Sequence, residues 1–418
     1  WSRTAGVRRL EIKNDTPLSK KQNSALQLLR SPFKWLFYSN LANAIGVELR
    51  LMAQSWLILE LGGSQVWVGA ANGLRIIPFF LASLLAGLLI DRIGGRTILL
   101  WDRLGLLIIA AITAMIVLAD VVQVWHVVAL SIASGGVIAL GMPSSNTLVT
   151  ELVPREKLHT ANSLNVFTFS IARALGPMGG GVLVAAMGLS APWLALVAFY
   201  AIAALCTLGL PKVQMAPIDE ASAWSRLAEG IHYVRTHPII SRITLLAFSL
   251  LVGSTIMPIW PVYARDRFDV GSSGFGWMMG AFALGQGISA LYITGKGKWS
   301  RQSVPILYAS TIWSVTMVVF GFSTSYPLSL LALFFMGTAV PPWMTSLTTL
   351  LQTKSDKAML GRVMAVYGMS IQVGMFGWFI GAWLGEIIGN DWMLLITGTT
   401  FALLHFALIL TSKELRQA

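Results

Sequence analysis

Apolar runs of about 20 residues, the length one helix needs to cross a bilayer, recur from one end of this chain to the other, and no other feature restricts its fold as tightly. They occupy 35–57, 67–89, 98–118, 124–148, 161–187 and 192–210, then 243–263, 275–293, 304–322, 328–350, 361–387 and 392–410. Lipid offers backbone groups no hydrogen-bond partner, and the runs are too long and continuous for alternating barrel strands, so the prediction is an all-α integral membrane protein with twelve spanning helices. Composition agrees: 55% of the 418 residues are hydrophobic and 11% are charged.

Orientation follows from Lys and Arg. With both termini cytoplasmic, 25 of the 30 basic residues fall in the tails and inner connections, and outer connections hold only Arg265 and Arg267. The positive-inside rule predicts this topology. A net charge of +12 is then a basic rim facing anionic headgroups, and no nucleic-acid partner is implied. Residues 1–32 read as a basic cytoplasmic tail without the apolar stretch of a cleavable signal. The single Cys206 excludes an internal disulfide.

The longest inner connection, 211–241, divides the chain into bundles at 33–210 and 242–411, with a tail at 412–418. In this connection Trp224, Leu227, Ile231 and Val234 recur at helical spacing, as in an interfacial amphipathic helix; His232 and His237 read as solvated. A shift of 200 residues places Lys157 on Lys357, Val166 on Val366, Ser170 on Ser370, Ile171 on Ile371 and Gly181 on Gly381. Two parallel six-helix halves with a site between them near the midplane is a transporter architecture.

Between spans two and three stands Gly87-x-x-x-Asp91-Arg92-x-Gly94-x-Arg96, a tight charged turn that keeps its charges at the cytoplasmic surface and lets helices approach. It resembles the signature of the major facilitator superfamily, whose Asp pairs with basic groups and the neighbouring half; the resemblance implies a conformational latch of Gly87, Asp91, Arg92, Gly94 and Arg96. Gly95 departs from the family's Arg or Lys. In span five, Gly176-Pro177-x-x-Gly180-Gly181 looks like the motif of drug–proton antiporters, where proline removes a backbone bond and glycines permit bending and close packing. Segments such as "LRLMAQSWLILELGGSQVWVG" and "PSSNTLVTELVPREKLHTANSLNVFTFSIARALGP" are similar to the exporter branch that includes enterobactin-type siderophore exporters and macrolide or multidrug efflux proteins, in which Arg often stands at the positions of Arg75 and Arg173. The Arg that many such antiporters carry in span four is absent, and His126 near the outer end is the nearest substitute.

At 1.5 Å per residue, Glu48, Arg50, Arg75 and Arg173 lie at one depth, about 18 to 22 Å from the inner surface. Isolated charges there cost at least ~2.5 to 3.5 kcal/mol each, so they are expected to face one another or a wet cavity. Glu48 and Arg50 point to different faces, which makes Arg75 or Arg173 the expected partner of Glu48. Glu48, read as the only acid deep in a helix, is the candidate proton carrier: burial and nearby guanidiniums act on its protonation in opposite senses, and cargo can tip the balance. Arg50, Gln54, Arg75 and Arg173 are candidate ligands for an anionic or phenolate-bearing solute; structural ion pairs within the first half are the competing reading. The second half offers an uncharged wall at this depth, with Thr255, Met257, Trp260, Gln286, Trp343, Gln372, Met375, Phe376 and Trp378, of which Trp260, Gln286, Gln372 and Phe376 are the leading contacts. His405 reads as a core residue.

The expectation is a secondary active transporter of the bacterial inner membrane, monomeric, exporting an amphipathic or anionic small molecule by alternating access with the proton as coupling ion and no other cofactor. An importer or uniporter, and a lipid or lysolipid flippase, are the alternatives. No paired-His metal spacing, phosphate loop or nucleophile elbow points to an enzyme.

Overall fold

The computed structural model describes residues 26–211, 223–296, 299 and 301–417, with the side chains of 84, 87, 88, 91, 223–227 and 296 also outside the description. No strand occurs among the described residues. The first half comprises α1 (Phe33–Glu60), α2 (Gln65–Gly73), α3 (Ile76–Ile93), α4 (Gly95–Leu118), α5 (Val124–Leu152), α6 (Leu158–Met187) and α7 (Ala191–Leu208). The connecting helix α8 (Ala223–Thr236) leads to α9 (Pro238–Phe248), α10 (Leu250–Gly253) and α11 (Ile259–Val262). After these come α12 (Gly271–Lys296), α13 (Ser303–Phe322), α14 (Tyr326–Lys354), α15 (Leu360–Gly374), α16 (Gly377–Ile388), α17 (Asn390–Leu410) and the short α18 (Lys413–Gln417). Ten helical stretches among the described residues are long and apolar enough to cross a membrane. The other two expected spans, α1 and α12, are helices of 28 and 26 residues; α1 carries the charges that dilute its hydropathy.

Three of the spans are interrupted, each for a readable reason. Pro78 cannot donate to Leu74, so the second span breaks at Leu74 and Arg75 between α2 and α3. Gly374 and Gly377 flank a break at Met375 and Phe376 between α15 and α16. In the seventh span Pro258 withholds its donor from the Ser254 carbonyl, and the Met257 N–H turns to that carbonyl at 3.2 Å. The Gly253 carbonyl then accepts from the Trp313 indole at 3.1 Å. By contrast α6 runs unbroken through Pro177. Its glycines serve close approach: a Cβ on Gly176 would meet that of Glu48 at 2.8 Å, and one on Gly180 would meet Leu49 Cδ1 at 2.7 Å.

The charged turn uses Gly94 at φ +89°, a conformation side chains resist. Arg96 donates to the Leu208 carbonyl at 2.6 Å, capping the end of α7 in its own half. Arg92 is exposed, and neither arginine bonds the second half among the described residues, so the expected inter-half latch is not formed by them; Gly87 and Asp91 have side chains outside the description.

Helix α8 docks beneath the second half. Glu229 pairs with Arg362 at 3.0 Å and the Tyr233 hydroxyl donates to Asp356 at 3.1 Å. Val234 is buried while Ile231 is 37% exposed; Trp224 and Leu227 lie outside the described side chains, as do residues 1–25 of the basic tail and 212–222 of the connection. His405 is fully buried, accepting from Trp343 Nε1 at 2.9 Å while its other ring nitrogen lies 2.8 Å from the Phe401 carbonyl.

The halves meet along two seams at the face opposite the chain termini. In one, α6 lies on α12: a Cβ on Gly181 would meet the Ser272 carbonyl at 2.6 Å, and one on Gly276 would meet that of Pro177 at 2.7 Å. In the other, α2 lies on α16: Gly69 faces Ala382 and the Trp378 carbonyl, and Gln65 donates to the Ala382 carbonyl at 3.1 Å. Every hydrogen bond between the halves among the described residues lies at or beyond Arg173, on this distal side.

Candidate functional site

Between the halves lies a cavity of about 380 Å3. Its first-half wall carries Glu48, Arg75 and Arg173, and its second-half wall carries Met257, Trp260, Gln286, Gln372, Met375 and Trp378. Glu48 takes Arg173 as its partner, with Arg173 Nε 3.5 Å from Glu48 Oε1. Arg173 Nη1 also donates to Gln286 Oε1 at 2.8 Å, so one guanidinium joins the acid of the first half to an amide of the second. Arg75 makes no hydrogen bond or ion pair among the described residues, although Glu48 and Arg50 act on it through charge.

Arg50 and Gln54 are not in this wall. A helical step of two residues turns Arg50 about 200° from Glu48, into the interior of the first half, where it is 2% exposed. Its Nη1 donates to Gln54 Oε1 at 2.7 Å, and Gln54 in turn bonds Asn72 while Ser131 donates to Gln54 Oε1 at 3.1 Å. This network fixes α1 against α2 and α5, a positioning task rather than cargo contact. Arg50 Nε and Nη2 have no partner among the described residues. Phe376 also lies outside the wall, turned to Phe379 with ring centroids 5.6 Å apart. Thr255 is buried and bonded to Thr397 at 3.1 Å.

Two side lobes share lining residues with the main cavity. A lobe of about 170 Å3 lies where the breaks of the second and eleventh spans face each other, lined by Asn72, Arg75, Phe79, Gln372 and Met375 among others. The second, about 80 Å3 and almost wholly apolar, is lined by Trp313, Trp343, Met344 and Phe401. Trp260, Phe282, Trp313 and Phe401 form a run of ring contacts with centroids 5.1, 6.1 and 6.3 Å apart. Trp313, Phe282 and Phe401 are not among the residues expected from sequence, which names no residue of span nine and only Gln286 and His405 in spans eight and twelve.

A second correction concerns acids. Glu48 is not the only one deep in a helix, because Asp102 is 1% exposed in α4 beside Arg103 at 3%. The two pair directly. Arg103 also donates to Ser39 Oγ at 3.2 Å and Asn40 Oδ1 at 3.0 Å. A Cβ on Gly141 would meet Asp102 Oδ1 at 2.7 Å, so α5 must pass closely there. This pair joins α4 to α1 and α5 and does not reach the cavity.

Comparison with known proteins agrees with this architecture. The chain is 25% identical over 375 residues to the multidrug efflux pump Tap of Mycolicibacterium fortuitum, covering 86% of this chain and 90% of Tap. It is 26% identical over 334 residues to the enterobactin exporter EntS of Shigella boydii serotype 4 (strain Sb227), covering 77% and 74%. Among solved structures, the D-xylose–proton symporter shares the fold with a TM-score of 0.71 at 15% identity over 92% of this chain and 98% of that one. The nucleoside transporter NupG does so with a TM-score of 0.69 at 13% identity, over 90% and 100%. Residues 23–418 match the sequence profile described as transmembrane secretion effector. With its helical halves, its central cavity and that match over nearly its whole length, the chain belongs to the transmembrane secretion effector family of major facilitator superfamily transporters, and is a multi-pass membrane transporter, not an enzyme.

Proposed function

We propose that this transporter exports an amphipathic or anionic small molecule across the bacterial inner membrane by alternating access, in exchange for protons, with both termini in the cytoplasm. The observation that carries the reading is the Glu48–Arg173–Gln286 chain: the acid in the cavity has an ion-pair partner that also bonds the opposite half. Protonating Glu48 removes the charge that holds Arg173 on the first half, which weakens the tie between carboxyl and guanidinium and leaves Arg173 to Gln286 or to cargo. Cargo and proton thereby act on one switch. The seams are closed distally, and the basic rim supports a cytoplasmic assignment for the opposite face, so the cavity loads from the cytoplasm. Relatives named as an efflux pump and an exporter support the outward direction.

The test is transport in inside-out proteoliposomes with an acid interior, using labelled 2-naphthalenesulfonate as an impermeant aryl anion. Gradient-driven uptake is expected for the native protein and is expected to fall to passive leak in Glu48→Gln, while cargo-for-cargo exchange persists. Uptake that ignores the gradient removes the antiport reading, and Glu48→Gln with full gradient-driven uptake removes Glu48 as the carrier.

A further inference from the structure

The central cavity has two chemically opposite ends. At one, the two broken spans present Arg75 and Gln372 to the larger lobe of about 170 Å3. Arg75 stands at the N-terminal boundary of α3, whose aligned peptide dipoles add positive potential there. Asp102 neutralises Arg103; of the three other arginines deep in this half, Arg173 is committed to Glu48 and Gln286. Arg50 is tied through Gln54 to Asn72, three residues before Arg75, and its Nε and Nη2 meet no partner within hydrogen-bond distance among the described residues. Glu48 supplies one negative charge to these three positive ones. The region is therefore short of anions by two charges, and the most accessible of the unsatisfied cations is Arg75. At the other end, the lobe bounded by Trp313, Trp343 and Phe401 has almost no polar surface.

We propose that the Arg75 lobe is an anion subsite in which Arg75 directly binds the acidic group of the cargo, while the aromatic lobe takes the same molecule's apolar part. This deepens the export reading and rests on the cavity being the cargo site. It narrows the cargo to organic acids that carry an aryl or similarly flat apolar group, and it gives the acid Arg75 as its first cation, with Arg173 reached once Glu48 is protonated and releases it. Because the Arg75 lobe is walled mainly by the first half and the aromatic lobe wholly by the second, such a molecule bridges the two bundles, whereas a simple anion or a neutral aromatic touches one.

Binding of 2-naphthalenesulfonate and of neutral 2-naphthalenesulfonamide to the purified full chain, by titration calorimetry and thermal stabilisation, tests this. The native protein is expected to prefer the sulfonate by about 10- to 100-fold, the range of a hydrogen bond to a charged group. Arg75→Gln is expected to erase the preference while leaving sulfonamide affinity unchanged, and Arg75→Lys to restore part of it. Trp313→Ala is expected to weaken both ligands alike. Equal binding of the two ligands by the native protein, or loss of both in Arg75→Gln with native thermal stability, overturns the anion subsite and leaves the cavity as a cargo site. Binding of neither overturns the subsite and the cavity reading together.

Discussion

Gly276→Leu is expected to hold the distal seam apart and abolish transport. A side chain there meets the Pro177 carbonyl at 2.7 Å and Met178 Cα at 3.3 Å, both backbone atoms that cannot swing aside. The helices must separate. Overpacking of this kind costs about 1–3 kcal/mol, which shifts a two-state equilibrium roughly 5- to 150-fold toward the arrangement in which the seam is open. Ser272, 5% exposed in the closed seam, reports the change: as Ser272→Cys in a Cys206→Ser background, it is expected to react rapidly with an impermeant maleimide only when Gly276→Leu is present. Gly287→Leu on the same helix, with nothing within 4 Å of its added carbon, is the control and should transport normally. Protection of Ser272→Cys in the Gly276→Leu protein would mean that this seam does not gate access.

Arg103→Leu is expected to destabilise the first half by about 3 to 5 kcal/mol, because it strands a carboxylate in a dry interior. Asp102→Asn strands the guanidinium instead, with Ser39 and Asn40 left to share it, and is expected to cost somewhat less. The informative variant is the double change Asp102→Leu with Arg103→Met. Removing both charges together also removes both desolvation costs, so most of the lost stability should return. Thermal unfolding in detergent measures all three. If the double variant is as unstable as Arg103→Leu, the pair acts through the Ser39 and Asn40 contacts and not through mutual neutralisation.

The recurring apolar runs carried most of the architecture, because lipid leaves a spanning chain almost no alternative to a helix. A depth count was enough to bring Glu48 and Arg173 to one level, and they do meet. It could not separate Glu48 from Arg50, which share a depth but face opposite ways; only the packing of α1 between α2, α5 and α6 decides which one borders the cavity. Asp102 went unread for a related reason. Arg103 beside it was counted with the basic rim, yet the turn at Gly94 begins α4 early enough to carry both residues into the bundle. An adjacent acid and base inside a 24-residue helix, opposite Ser39 and Asn40, was the available signal. Pro78, Gly374 and Gly377 were visible as helix breakers, but the facing of the two breaks around Arg75 arises from tertiary arrangement. Phe376 was placed by depth alone, and the break in which it lies turns it from the cavity.

The interruption in the seventh span has an optical consequence. Pro258 leaves the Gly253 carbonyl to the indole of Trp313, which therefore serves at once as a wall of the apolar lobe and as a gauge clipped to a bend in the backbone. Any straightening of that bend withdraws the acceptor and tips the ring. With the other tryptophans replaced, the emission of Trp313 would register both what occupies the lobe and how the seventh span is curved.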